Sequence, residues 1–119
     1  MIKVVIRRDV NGSVQCFRVK GHAGYDVEGR DIICSAASSI AYTAAGYFEE
    51  KYNADGKKQT LVREKSGDFS WSRPRITDRD EKIAADAVLE AMVIGFRQIE
   101  YSYGSKYLVV SEEEVESHA

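Results

Sequence analysis

Ile2, Val4 and Ile6 alternate with Lys3, Val5 and Arg7, the period of two expected of a strand with one buried face. Asn11-Gly12 follows, a dipeptide suited to a two-residue type I′ turn. Ser13 to Lys20 is therefore expected to return antiparallel to the first strand, with Phe17 and Val19 inward. Gly21 to Asp31 carries Gly21, Gly24 and Gly29 among several charges and reads as a mobile loop. From Ile33 the spacing changes. Ala36, Ala37, Ile40, Ala41, Ala44, Tyr47 and Phe48 recur every three or four residues, which predicts a helix ending near Tyr52 and broken by Asn53 to Lys58.

Thr60 to Glu64 and Phe69 to Arg73 predict a second hairpin about Lys65-Ser66-Gly67-Asp68, closed by Pro74. Thr77 or Asp78 can cap a second helix, whose buried stripe is expected at Ile83, Ala87, Val88, Ala91, Met92, Gly95 and Ile99, with Gly104 just past its end. Tyr107 to Val110 predicts a last strand, and the acidic, aperiodic residues 111–119, His118 among them, predict a disordered tail. The order is ββαββαβ. This is an α+β two-layer sandwich: a mostly antiparallel sheet of about five strands with two helices on one face, a single domain over residues 1–110.

Composition narrows the function. With 119 residues, 44% hydrophobic and 30% charged, the chain suits one compact core. Its 17 basic and 19 acidic residues leave a formal charge of -2, so no direct nucleic-acid partner is expected. No apolar run reaches the roughly 18 residues of a membrane helix, and the chain starts on a strand pattern, not a signal peptide. A cytoplasmic protein without a membrane partner is expected. Two cysteines, Cys16 and Cys34, make no disulfide framework.

Candidate chemistry gathers near the first helix. Asp31 precedes the helical stripe and can cap its orphan amides, which places Cys34 in the first turn. A thiol there sits in the helix's positive field, which lowers its pKa. His22 stands at the end of the second predicted strand, where a crossover can bring imidazole and thiol together. Cys34 and Ser38 lie on one edge of the stripe. Equally, Cys34 could be a small buried hydrophobe and His22 an ordinary strand-end residue, and these two residue types alone leave both readings open.

Gly21-His22-Ala23 followed by Asp31-Ile32-Ile33-Cys34-Ser35-Ala36-Ala37-Ser38 resembles the ribosomal-processing cysteine protease family, Prp, including the spacing between His22 and Cys34. Ser35 stands where the family often has alanine, a small-for-small exchange. The resemblance extends along the chain and implies a small α+β endopeptidase that removes a short N-terminal extension from a large-subunit ribosomal protein. It also implies a homodimer. The dyad carries over as His22 and Cys34, with Gly21, Asp31 and Ser38 as supporting or substrate-binding positions.

The expected mechanism needs no metal or cofactor: Cys34 attacks the scissile carbonyl, His22 moves the protons, and first-turn amides form an oxyanion hole. The loop Ala23 to Arg30 is expected to order over a bound peptide. The acidic Asp26, Glu28 and Asp31 suit a basic substrate. Cys16 is expected to be a bystander, and Trp71 and Tyr42 to be core or interface residues outside the site. Two other functions use the same residues differently: a non-catalytic ribosome-assembly or protein-binding module, and a thiol enzyme acting on small acyl groups.

Overall fold

The computed structural model describes residues 1–27, 30–53 and 62–116. Its elements run β1 (Ile2–Arg8), β2 (Val14–Lys20), α1 (Ile32–Asn53), β3 (Val62–Lys65), β4 (Asp68–Ser72), α2 (Arg79–Tyr103) and β5 (Leu108–Glu114). The five strands form one sheet in the order β3-β4-β2-β1-β5. All pairings are antiparallel except β1 with β5. Both helices cover one face, and the expected ββαββαβ sandwich is the fold observed.

Alternation along the strands separates the two faces. Ile2, Val4 and Ile6 of β1, Val14 and Phe17 of β2, and Phe69 and Trp71 of β4 are buried under the helices. Phe17 stacks on Phe69 and Trp71, with ring centroids 5.9 and 5.4 Å away, and Phe48 of α1 reaches Trp71 at 4.7 Å. Trp71 therefore belongs to the core.

The first hairpin is not a two-residue type I′ turn, because Gly12, at φ 86, is the residue with positive φ and Asn11 is not. Asp9 explains the longer loop. Its Oδ1 accepts the amides of Asn11 and Ser13, and its backbone N–H donates to Ser13 O at 2.9 Å. An aspartate that binds amides two and four residues on supplies its own turn, overriding the Asn-Gly preference.

The second hairpin turns at Ser66-Gly67, with Lys65 opposite Asp68. The first residues of its expected leading strand, Thr60 and Leu61, lie outside the described residues, as does most of the expected break after α1. On α2, Asp78 caps the start by accepting Glu81 N–H, and Gly104 caps the end at φ 100. The stripe is rotated from the expected one. Ala85, Leu89, Met92, Val93, Phe96 and Ile99 face the core, whereas Ile83 is 59% exposed. The edge holding Val88, Ala91 and Gly95 faces α1 instead, so close that a Cβ on Gly95 would stand 3.0 Å from Ile40 Cδ1.

The acidic tail does not begin at Ser111. β5 continues to Glu114 in parallel register with β1, and Val115 N–H still donates to Arg8 O. Basic partners supplied by other elements hold it: Glu112 meets Arg8 and Arg97 at 2.6 Å each, and Glu113 meets Arg7 at 3.0 Å. Arg8 also bonds Glu90. Residues 117–119, including His118, lie outside the described residues. Among the described residues no helix is long and apolar enough to cross a membrane.

Candidate active site

The path from β2 to α1 crosses the end of the sheet beside the β3–β4 turn, and a cavity of about 380 Å³ opens there. It gathers all five positions singled out from sequence: Gly21, His22, Asp31, Cys34 and Ser38 line it together. His22 and Ser38 are exposed, Gly21 and Cys34 half-buried, and Asp31 buried. Cys16 lies elsewhere, on the sheet face the helices leave open, opposite Arg7 and Ser72.

Asp31 organises the centre. Its Oδ1 accepts the amides of Ile33 and Cys34 at 3.0 Å each, and its Oδ2 accepts those of Tyr25 and Asp26 at 3.0 and 3.4 Å. Burial alone would raise its pKa; the four backbone donors overcome that and hold the carboxyl below its usual range. One side chain thus caps α1 and ties down the preceding loop. Ala23 is buried, and Tyr25 packs edge-on against Tyr107 at 5.2 Å and Tyr103 at 5.8 Å. Within the loop expected to be mobile, these contacts fall on Ala23, Tyr25 and Asp26; 28–29, with Glu28 and Gly29, lie outside the described residues.

These contacts bear on two further expectations. The amides of Ile33 and Cys34 are already committed to Asp31, and Ser35 N–H to Asp31 O, so these three are not free to form the expected oxyanion hole. Around the thiol itself the influences oppose one another. Burial pushes Cys34 up, the Ala23 amide pulls it down, and the Asp31 carboxylate pushes it up again, for a net rise. The capping carboxylate opposes the positive field that a helix end offers.

The donor reaching the sulfur is Ala23 N–H, at 3.3 Å from Cys34 Sγ. The His22 imidazole shares the cavity without a hydrogen bond to the thiol; its Nε2 edge lies against Gly67. His22 is fixed through its main chain by Met1, whose ammonium donates to His22 O at 2.6 Å. Gly21 is required beside it: at φ 101 its position admits no side chain, because a Cβ would stand 2.4 Å from Met1 O.

Sequence reasoning missed the other wall. Glu64, Lys65, Gly67, Asp68 and Phe69 from the second hairpin line the cavity, with Tyr42 of α1. Tyr42 was expected outside the site, yet it is 48% exposed, packs edge-on against Phe69 and donates its hydroxyl to Glu64. Its place one helical turn beyond Ser38 was the available signal. Among the described residues no cluster of His, Cys, Asp or Glu could hold a metal ion.

A sequence model of the family described as "Cysteine protease Prp" matches residues 1–108. The chain belongs to the Prp family of cysteine proteases. It is accordingly a cysteine peptidase. Over 104 residues it is 25% identical to the ribosomal processing cysteine protease Prp of Bacillus subtilis (strain 168), covering 87% of this chain and 90% of that relative. Solved structures show the same fold. A ribosomal processing protease Prp from S. aureus, in complex with a covalently linked product peptide, superposes with a TM-score of 0.77 at 23% identity, over 95% of this chain and all of that one. SMU.848 from Streptococcus mutans matches with a TM-score of 0.71 at 21% identity, over 97% of this chain and 96% of that one.

Proposed function

We propose that this Prp-family peptidase removes a short N-terminal extension from a protein of the large ribosomal subunit, with Cys34 as nucleophile and His22 as acid and base. The observation that carries the reading is the shared cavity: a thiol from α1 and an imidazole from just after β2 both line one cleft, in a chain that belongs to a family of cysteine proteases. Relatives named for ribosomal processing support the substrate class.

A thiol held above its usual pKa stays protonated until substrate arrives. His22 therefore takes the Cys34 proton as the sulfur attacks the scissile carbonyl, and an S–C bond forms. The imidazolium returns that proton to the amine of the departing mature protein as the C–N bond breaks. Water, deprotonated by His22, then cleaves the thioester, releasing the extension as a carboxylate and restoring the thiol. Ala23 N–H, already directed at Sγ, steadies the charge that develops there.

Gly21 and Asp31 hold this arrangement, and Ser38 and Tyr42 border the path of the peptide. The homodimer and the cytoplasmic setting expected of the family, without a nucleic-acid or membrane partner, belong to the same proposal.

Incubation with the N-terminally extended ribosomal protein, followed by mass spectrometry of the new terminus, tests the substrate. One internal cut near the N-terminus is the expected result. Tight binding without a cut would favour the assembly module, and hydrolysis of small thioesters alone would favour the acyl enzyme.

A further inference from the structure

We infer that Gly67, at the β3–β4 turn, is a positioning residue for the His22 imidazole; this rests on the reading of His22 as the base. Gly67 has φ 68, which already favours glycine. A second constraint is independent of the first. A Cβ placed on Gly67 would stand 2.7 Å from His22 Nε2, 3.2 Å from Cε1 and 3.4 Å from Cδ2. All three atoms belong to the ring tip, the part that would handle the proton.

Gly12 isolates the point. It lies in the longer loop of the other hairpin, also at positive φ, 86, yet an added Cβ there meets nothing within 4 Å. Glycine at position 12 answers to the backbone alone, whereas at position 67 it also answers to the imidazole.

The turn is locked to the residue beside the base, since Gly21 N–H donates to Gly67 O at 2.8 Å. From the other side Met1 holds His22 O. With its carbonyl held by Met1 and the preceding residue held by Gly67, the histidine can shift chiefly by rotating its side chain, and the bare Cα of Gly67 sets one limit of that rotation. A methyl group there displaces the ring tip from its seat in the cavity that also holds Cys34. Misplacing a reacting group by about 1 Å can cost roughly a hundredfold in rate.

The experiment compares Gly67→Ala, Gly67→Asn and Gly12→Ala with wild type in cleavage of the extended ribosomal protein, alongside thermal melting. Asparagine tolerates positive φ better than alanine but keeps the Cβ, so Gly67→Asn carries the test if Gly67→Ala fails to fold. Both Gly67 variants are expected to lose about ten- to a hundredfold in kcat with little change in KM. Gly12→Ala, with comparable backbone strain, is expected to keep kcat within about twofold.

A folded Gly67 variant with kcat near wild type overturns the inference. So does an equal loss in Gly12→Ala, or a loss confined to KM. His22→Ala separates the two levels. If it is inactive while Gly67→Ala works normally, only the positioning role fails; if His22→Ala itself cleaves, the assignment of the base fails.

Discussion

Asp31 Oδ1 accepts the Cys34 amide at 3.0 Å, which binds the proposed nucleophile to a carboxylate that also holds the loop after His22. Burial already pushes the Cys34 thiol up, and the carboxylate that builds the first turn of α1 places negative charge near the sulfur and adds to that rise. Architecture and reactivity are coupled through this residue.

Asp31→Asn is expected to destabilise the fold at neutral pH by about 2 kcal/mol, since one amide oxygen must replace two carboxylate oxygens and the NH2 group faces backbone donors. The pH dependence follows from the lowered carboxyl. A folded-state pKa below the unfolded value contributes stability above the ordinary carboxylate range, and this is lost as the carboxylate protonates in acid. Melting curves of both proteins from neutral pH to about pH 3 should therefore converge as the pH falls.

Alkylation of Cys34 in the free protein by iodoacetamide should titrate above the range of an ordinary thiol, because burial and the Asp31 charge both favour the protonated form. In Asp31→Asn the profile should move to lower pH. A fast reaction of wild type in mild acid would mean a thiolate exists before substrate binds, contrary to the mechanism proposed.

Gly21→Ala and Gly24→Ala share a positive φ, but only the first meets a backbone oxygen, Met1 O, at 2.4 Å. Chemical denaturation should show a loss of about 1 kcal/mol for Gly24→Ala and at least about 2 kcal/mol more for Gly21→Ala, which must also displace the Met1 main chain.

Arg8→Ala removes the partner shared by Glu90 and Glu112 and the donor to Gly12 O. A cost of about 1–2 kcal/mol is expected from a partly buried network of this kind. Hydrogen exchange should quicken first at the β5 residues beyond Val110.

Most of the fold was legible because local periodicity decided it: alternation marked β1, and spacings of three and four marked α1. What escaped depends on partners distant in sequence. The run Ser111–Glu114 looks like a solvated tail until Arg7 and Arg8, about a hundred residues earlier, are placed beside it. On α2, two adjacent apolar edges compete; the sheet takes Leu89 and Phe96, and α1 takes Val88 and Gly95. At the site, the motif marked His22 and Cys34, and a helix cap could be assigned to Asp31. That β4 pairs with β2, bringing Gly67 against His22, is a matter of strand order, which periodicity does not encode.

The most direct test of the catalytic assignment is a single-turnover cleavage assay on the extended ribosomal protein with wild type, Cys34→Ala, His22→Ala and Cys16→Ala. Cleavage at wild-type rate by Cys16→Ala, none by Cys34→Ala, and a loss of at least about a hundredfold in His22→Ala are expected. Undiminished cleavage by Cys34→Ala or His22→Ala would contradict the proposed dyad.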